Sequence, residues 1–93
     1  MKYVLFYESD PTKMAVAQAL FPEHRARLDA FHAAGKFLFV GPFEDPRDGA
    51  MGIFRSREAV DEFVAGDPFV LNGVVARTTI RGWRELYGVD TAS

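Results

Sequence analysis

Only two histidines occur among the 93 residues, His24 and His32, and there is no cysteine. The missing thiols exclude disulfides, thiolate metal sites, iron–sulfur clusters and cysteine nucleophiles. A separation of eight residues does not make a local chelating pair, so neither a metal nor any other cofactor is expected. His24 falls on an apolar helical stripe with Phe21, Leu28 and Phe31. An imidazole there can serve as a general acid/base, because it titrates near neutral pH. Its other reading is a boundary side chain satisfied by a single hydrogen bond. His32 lies about 80° further around the helix and two turns along, as a flank residue. Asp67 precedes Pro68 and reads as the N-cap of a short turn. The same carboxylate can accept an imidazole N–H, holding the tautomer and stabilising the protonated ring.

Other polar or special residues carry weaker signals. Tyr7 is either a hydrogen-bond donor to a ligand or one member of an aromatic cross-strand pair. Arg25 and Arg27 read as a solvated helix face. Gly41 and Gly52 mark places of close backbone approach, and no Gly-rich loop opens a helix to cradle phosphate.

The elements that must position these residues follow from the pattern. Residues 2–8 are aromatic and β-branched, closed by Ser9-Asp10-Pro11, and form a first strand. Residues 12–20 hold good helix formers but run into Phe21-Pro22. Proline cannot donate into a helix, so this segment is expected as a short separate helix or lid. A new helix then starts at Pro22 and stops at Gly35. Strands follow at 36–43 and 50–55, separated by a turn-rich Glu44–Gly49. Ser56 caps a second helix whose inward face is Ala59, Val60, Phe63 and Val64. Gly66-Asp67-Pro68 ends it, and the last strand spans 74–83. Residues 1–85 form one domain, with 86–93 as a tail.

The order β-α-β-β-α-β indicates an α+β, ferredoxin-like sandwich with two helices on one face of an antiparallel sheet. In this connectivity the first strand ends, and the first helix begins, at one end of the domain. The second strand and second helix also end there. Tyr7, His24, Gly41, Pro42, Asp67 and Phe69 therefore gather at that end, although they are scattered in sequence. The strands are apolar on both alternating sets: Tyr3, Leu5 and Tyr7 against Val4 and Phe6, and Phe37 and Phe39 against Leu38 and Val40. Two helices cover one face only, so the other calls for a second copy of the chain.

Composition narrows the function classes. Eleven basic and thirteen acidic residues leave a net charge of −2, not the footprint of a protein that binds phosphate backbones. RNA-recognition motifs share this element order, but Gly49–Phe54 lacks their aromatic pair. No apolar run approaches the ~18–20 residues of a membrane span. The chain opens into a strand with no basic-then-apolar signal, so a cytoplasmic protein is expected.

Three blocks resemble a known family. They are Pro22-Glu23-His24-Arg25-Ala26-Arg27-Leu28 running on to His32 and Gly35, then Gly41-Pro42-Phe43, then Asp67-Pro68-Phe69-Val70 with Gly73-Val74. Together they are similar to the YciI-like (YCII-related, DGPF) family of small α+β proteins. The resemblance implies a dimeric α/β-barrel and an active site built on a His–Asp pair, here His24 and Asp67. Two positions depart from the pattern. Phe21 stands where the family often has Arg before Pro-x-His, removing an expected positive contact. Ala50 stands where a hydroxyl residue is common.

Two functions fit these features. One is a cofactor-independent enzyme of lyase, dehydrohalogenase or isomerase type. His24 would move a proton and Asp67 orient it, with a small organic molecule held near Tyr7, Gly41, Pro42 and Phe69 beneath residues 9–21. The other is a non-catalytic dimeric module that binds a small ligand or a protein, in which the same pair is structural.

Overall fold

The computed structural model describes residues 1–88. Four strands, β1 (Lys2–Ser9), β2 (Phe37–Pro42), β3 (Ala50–Phe54) and β4 (Val75–Trp83), form one antiparallel sheet in the order β2-β3-β1-β4. Helices α1 (Met14–Ala33) and α2 (Arg57–Gly66) connect them, with a short α3 (Pro68–Leu71) leading into β4. This is the ferredoxin-like α+β arrangement. Ser56 caps α2 by accepting from the Ala59 N–H at 3.1 Å.

The core lies between the sheet and the helices. Leu5, Tyr7, Phe37 and Phe54 from the strands meet Phe31 of α1 and Ala59, Val60 and Phe63 of α2. Register explains which strand residues turn inward: Tyr3 stands opposite Phe54, Leu5 opposite Gly52 and Tyr7 opposite Ala50. Phe31, Phe54 and Phe63 meet edge to face or tilted at 5.2 and 5.5 Å between centroids, packing that large flat rings favour.

One expectation about β2 is corrected. Phe37 and Phe39 do not share a face, because the β2–β3 register shifts between them. The irregularity at Leu38 turns Phe37 into the core at 7% exposure and leaves Phe39 outward at 70%.

A second correction concerns Pro22. Residues 14–33 form one continuous helix with Pro22 inside it, not a short helix followed by a new one. Pro22 has no N–H to give the Gln18 carbonyl, a loss that costs about 3 kcal/mol or more. Tertiary attachments on both sides hold the helix through that gap. Before it, Asp10 donates its N–H to the Val74 carbonyl at 2.8 Å, and its side chain caps the turn at Pro11–Lys13. After it, His24, Arg27 and Phe31 are each fastened to other elements.

Arg27 is likewise not part of a solvated face. Its Nε donates to the Phe63 carbonyl at 3.2 Å and its Nη2 to the Glu62 carbonyl at 2.7 Å, so the guanidinium serves carbonyls near the C-terminal end of α2. The guanidinium also lies over the Phe31 ring at 4.8 Å.

Gly52 is a close approach as expected, since a Cβ there would meet Val40 at 2.8 Å, but Gly41 is not, with nothing within 4 Å. Gly49 carries a φ of 120°, and a Cβ on it would collide with the Tyr7 carbonyl oxygen.

Among the described residues no helix is long and apolar enough to cross a membrane, and no three His, Cys, Asp or Glu side chains gather to hold a metal ion.

Candidate functional site

Asp67 joins α2 to α3, and its position there follows from local chemistry. Its extended backbone (φ −69°, ψ 119°) ends α2, Pro68 begins α3, and its side chain caps the new turn through the Phe69 N–H at 3.0 Å. The carboxylate is also fully buried. A buried carboxylate persists only if its oxygens are paired. Here Oδ1 accepts from Phe69 N–H and from His24 Nδ1 at 2.7 Å, while Oδ2 accepts from the Tyr7 hydroxyl at 2.7 Å.

His24 comes from the third turn of α1 and is clamped on several sides. Its ring lies on Phe69 with centroids 3.8 Å apart and planes 4° from parallel, and the edge of Phe63 approaches at 6.4 Å. Its side chain retains 13% exposure. An ionised carboxylate only accepts hydrogen bonds, so Nδ1 carries the hydrogen and the lone pair is on Nε2. Among the described residues Nε2 takes no protein partner, and His24 borders a cavity.

That cavity has a volume of about 910 Å³ and separates α1 from the sheet. It explains why Phe31 is the only buried residue of this 20-residue helix. Its floor and walls are largely apolar, among them Leu5, Leu28, Phe37, Val40 and Phe54. The size and lining suit a small organic ligand with few polar groups. Of residues 9–21, expected as a separate cover, Ser9, Met14, Ala17, Gln18 and Phe21 border this space, the last four from the opening turns of α1.

Each residue expected at the site can now be placed. His24 and Asp67 are in direct contact, and Tyr7, Gly41, Pro42 and Phe69 all border the cavity. The Tyr7 hydroxyl donates to Asp67, and its cross-strand neighbours are Ala50 and Thr78, neither of them aromatic. Burial pushes this phenol well above its usual pKa range; the neighbouring carboxylate charge and the hydrogen bond to it add to the shift, and Arg27 opposes it. Phe69 acts on the imidazole itself as its stacking partner. His32, expected on the flank, is exposed but also borders the cavity, its ring 5.7 Å from Phe37.

No sequence motif marks the Tyr7–Asp67 bond. The two residues are 60 positions apart, and the available signal was their common placement at one end of the topology. Phe21, at the position where the resemblance leads one to expect Arg, borders the cavity half-exposed, with its ring 6.5 Å from His24.

Comparison with known proteins finds relatives that span most of the chain. Protein YciI of Escherichia coli O6:H1 is 28% identical, over 94% of this chain and all of that protein. An uncharacterised protein of Haemophilus influenzae is 26% identical over the same shares. Among solved structures, the 5-chloro-2-hydroxyhydroquinone dehydrochlorinase TftG of Burkholderia phenoliruptrix AC1100, in complex with 2,5-dihydroxybenzoquinone, superposes with a TM-score of 0.75. It is 26% identical, covering 90% of this chain and 94% of that one. The YCII-related domain model matches residues 1–84. Fold, match and coverage agree, and the chain belongs to the YCII-related domain family.

Proposed function

We propose that the protein is an enzyme that moves a proton on a small organic molecule, with His24 as the acid/base and Asp67 holding its tautomer. The observation that carries this reading is the His24–Asp67 contact of 2.7 Å beside a roomy cavity, which leaves Nε2 without a protein partner among the described residues. In an elimination, Nε2 takes a proton from a C–H or O–H of the substrate. The electron pair left behind forms a new π bond, and the leaving group departs with its own pair. Asp67 offsets the charge that develops on the imidazolium. The likeness to a dehydrochlorinase supports the elimination class and a planar, hydroxylated ring as substrate type.

The test uses chloride release from 5-chloro-2-hydroxyhydroquinone, the substrate named for TftG, by wild type and His24→Gln. Glutamine keeps a polar side chain of similar reach without proton transfer near neutral pH. The expected result is release by wild type and a loss of about 10²–10⁴-fold in a folded variant, the usual contribution of general acid–base catalysis. Unchanged release in the variant removes His24 as the base. If wild type binds such rings without turning them over, the protein is a ligand-binding module.

We also propose that the active unit is a homodimer formed through the sheet face away from the helices. Val4, Phe6, Met51 and Ile53 lie on that face with Phe39, which is 70% exposed, and Trp83, which is 44% exposed. A stable interface needs about 1,200 Å² or more in total. Light scattering at micromolar concentration is expected to give twice the chain mass, and Phe39→Asp to give a folded monomer. A monomeric wild type rejects the dimer.

A further inference from the structure

Among the side chains that touch the His24–Asp67 pair, Tyr7 stands apart. It is buried at 6% exposure, it comes from the sheet whereas the pair comes from the helical layer, and its hydroxyl donates to the carboxylate oxygen that His24 does not use. We infer that Tyr7 is a positioning residue: by binding Asp67 Oδ2 from β1 it aims Oδ1 at His24 Nδ1 and so keeps the Nε2 lone pair toward the cavity. This deepens the acid/base reading and rests on it.

The geometry supplies the reason. A carboxylate on a short side chain can turn about its last bond. Oδ1 carries two donors, but one is the adjacent Phe69 N–H and the other is the imidazole whose orientation is in question. Among the described residues, only the Tyr7 bond ties Asp67 to an element other than the helical layer. The backbone behind Tyr7 is rigid, since β1 is paired on both sides, with Tyr7 opposite Ala50 on β3 and Thr78 on β4. The donor also stays a donor. Burial and the adjacent carboxylate keep the phenol protonated across the range in which an imidazole titrates. Removing the hydroxyl leaves Oδ2 buried with no partner. The carboxylate then turns toward a remaining donor or takes up a proton. Either outcome loosens its hold on Nδ1–H, and the ring relaxes toward the Nε2–H form that histidine favours in water.

The experiment reads tautomer, not turnover, and needs no substrate. Ring nitrogen chemical shifts of His24 are recorded in ¹⁵N-labelled wild type and Tyr7→Phe, at a pH that leaves the imidazole neutral. Wild type is expected to be almost wholly Nδ1–H. In Tyr7→Phe the Nδ1–H to Nε2–H ratio is expected to fall by roughly tenfold, the scale of one hydrogen bond to a charged group. A ratio unchanged in the folded variant overturns the inference. Fluorotyrosine at position 7 keeps ring and hydroxyl while making the phenol a stronger donor, so it decides the matter if Tyr7→Phe does not fold. The Nδ1 proton resonance is then expected to move upfield as Oδ2 draws charge from Oδ1, and an unmoved resonance overturns the inference. A normal tautomer response in a protein that turns nothing over would instead remove the catalytic reading and leave the positioning role in place.

Discussion

The imidazole of His24 lies flat on Phe69, centroids 3.8 Å apart and planes within 4° of parallel, while Phe69 offers its own N–H to the carboxylate that His24 binds. One residue thus fixes both the plane of the imidazole and the direction of its partner. Phe69→Leu keeps an apolar side chain and the backbone donor but removes the flat surface. The variant is expected to lose about 0.5–1.5 kcal/mol beyond any change in buried area, the usual worth of an aromatic pair. Urea unfolding measures the stability, and the His24 ring protons should lose their ring-current shift. If those proton shifts match wild type, the stack does not order the ring in solution.

Tyr7 makes a prediction about alkaline stability. Its folded pKa is raised above the ordinary value near 10, so the folded chain keeps a proton that the unfolded chain releases. The stabilisation is complete below about pH 10 and is lost as pH climbs through the folded value. Tyr7→Phe is expected to be less stable at pH 7 by about 1–3 kcal/mol, since Asp67 Oδ2 loses its donor. Above about pH 10 its stability should decline less steeply than that of wild type. Urea midpoints at intervals between neutral and strongly alkaline pH compare the two. Parallel curves would show that the phenol ionises as readily folded as unfolded.

Gly49 is the tightest backbone position near the site. With φ of 120° and ψ of −151° it sits where side-chain-bearing residues are strained, and a Cβ would strike the Tyr7 carbonyl. Gly49→Ala is expected to cost more than about 3 kcal/mol, because neither the strain nor the backbone collision can relax locally. Thermal or urea unfolding measures it. A loss under about 1 kcal/mol would mean that the turn before β3 has another accessible conformation.

Arg27 and Gly66 are predicted to act through one contact. Arg27→Lys keeps the charge but cannot serve the Phe63 and Glu62 carbonyls together, and is expected to cost about 1 kcal/mol. Gly66→Ala places a Cβ 2.5 Å from the guanidinium and displaces it, at a similar cost. The double variant should lose less than the sum of the two, and a double-mutant cycle on urea unfolding measures the difference. Strict additivity would show that the residues act separately.

What the chain order dictated was the architecture and the end of the domain where the site lies. Alternating apolar strands, the Ser56 cap and the Gly35 and Gly66 stops specify β-α-β-β-α-β. That connectivity places Tyr7, His24 and Asp67 together without any distance being known. Local rules failed where non-local contacts outweighed them. Pro22 predicts a break, yet α1 continues, because Asp10 ties its entry to Val74 and His24, Arg27 and Phe31 anchor the far side. Alternation predicts Phe37 and Phe39 side by side, yet the shift at Leu38 separates them, since register depends on the partner strand. The roles within the site were also decided in three dimensions. Tyr7 donates to Asp67 because a fully buried carboxylate needs a donor on each oxygen. Which donor lies within 2.7 Å depends on how β1 packs under the α2–α3 junction, and no spacing along the chain records that.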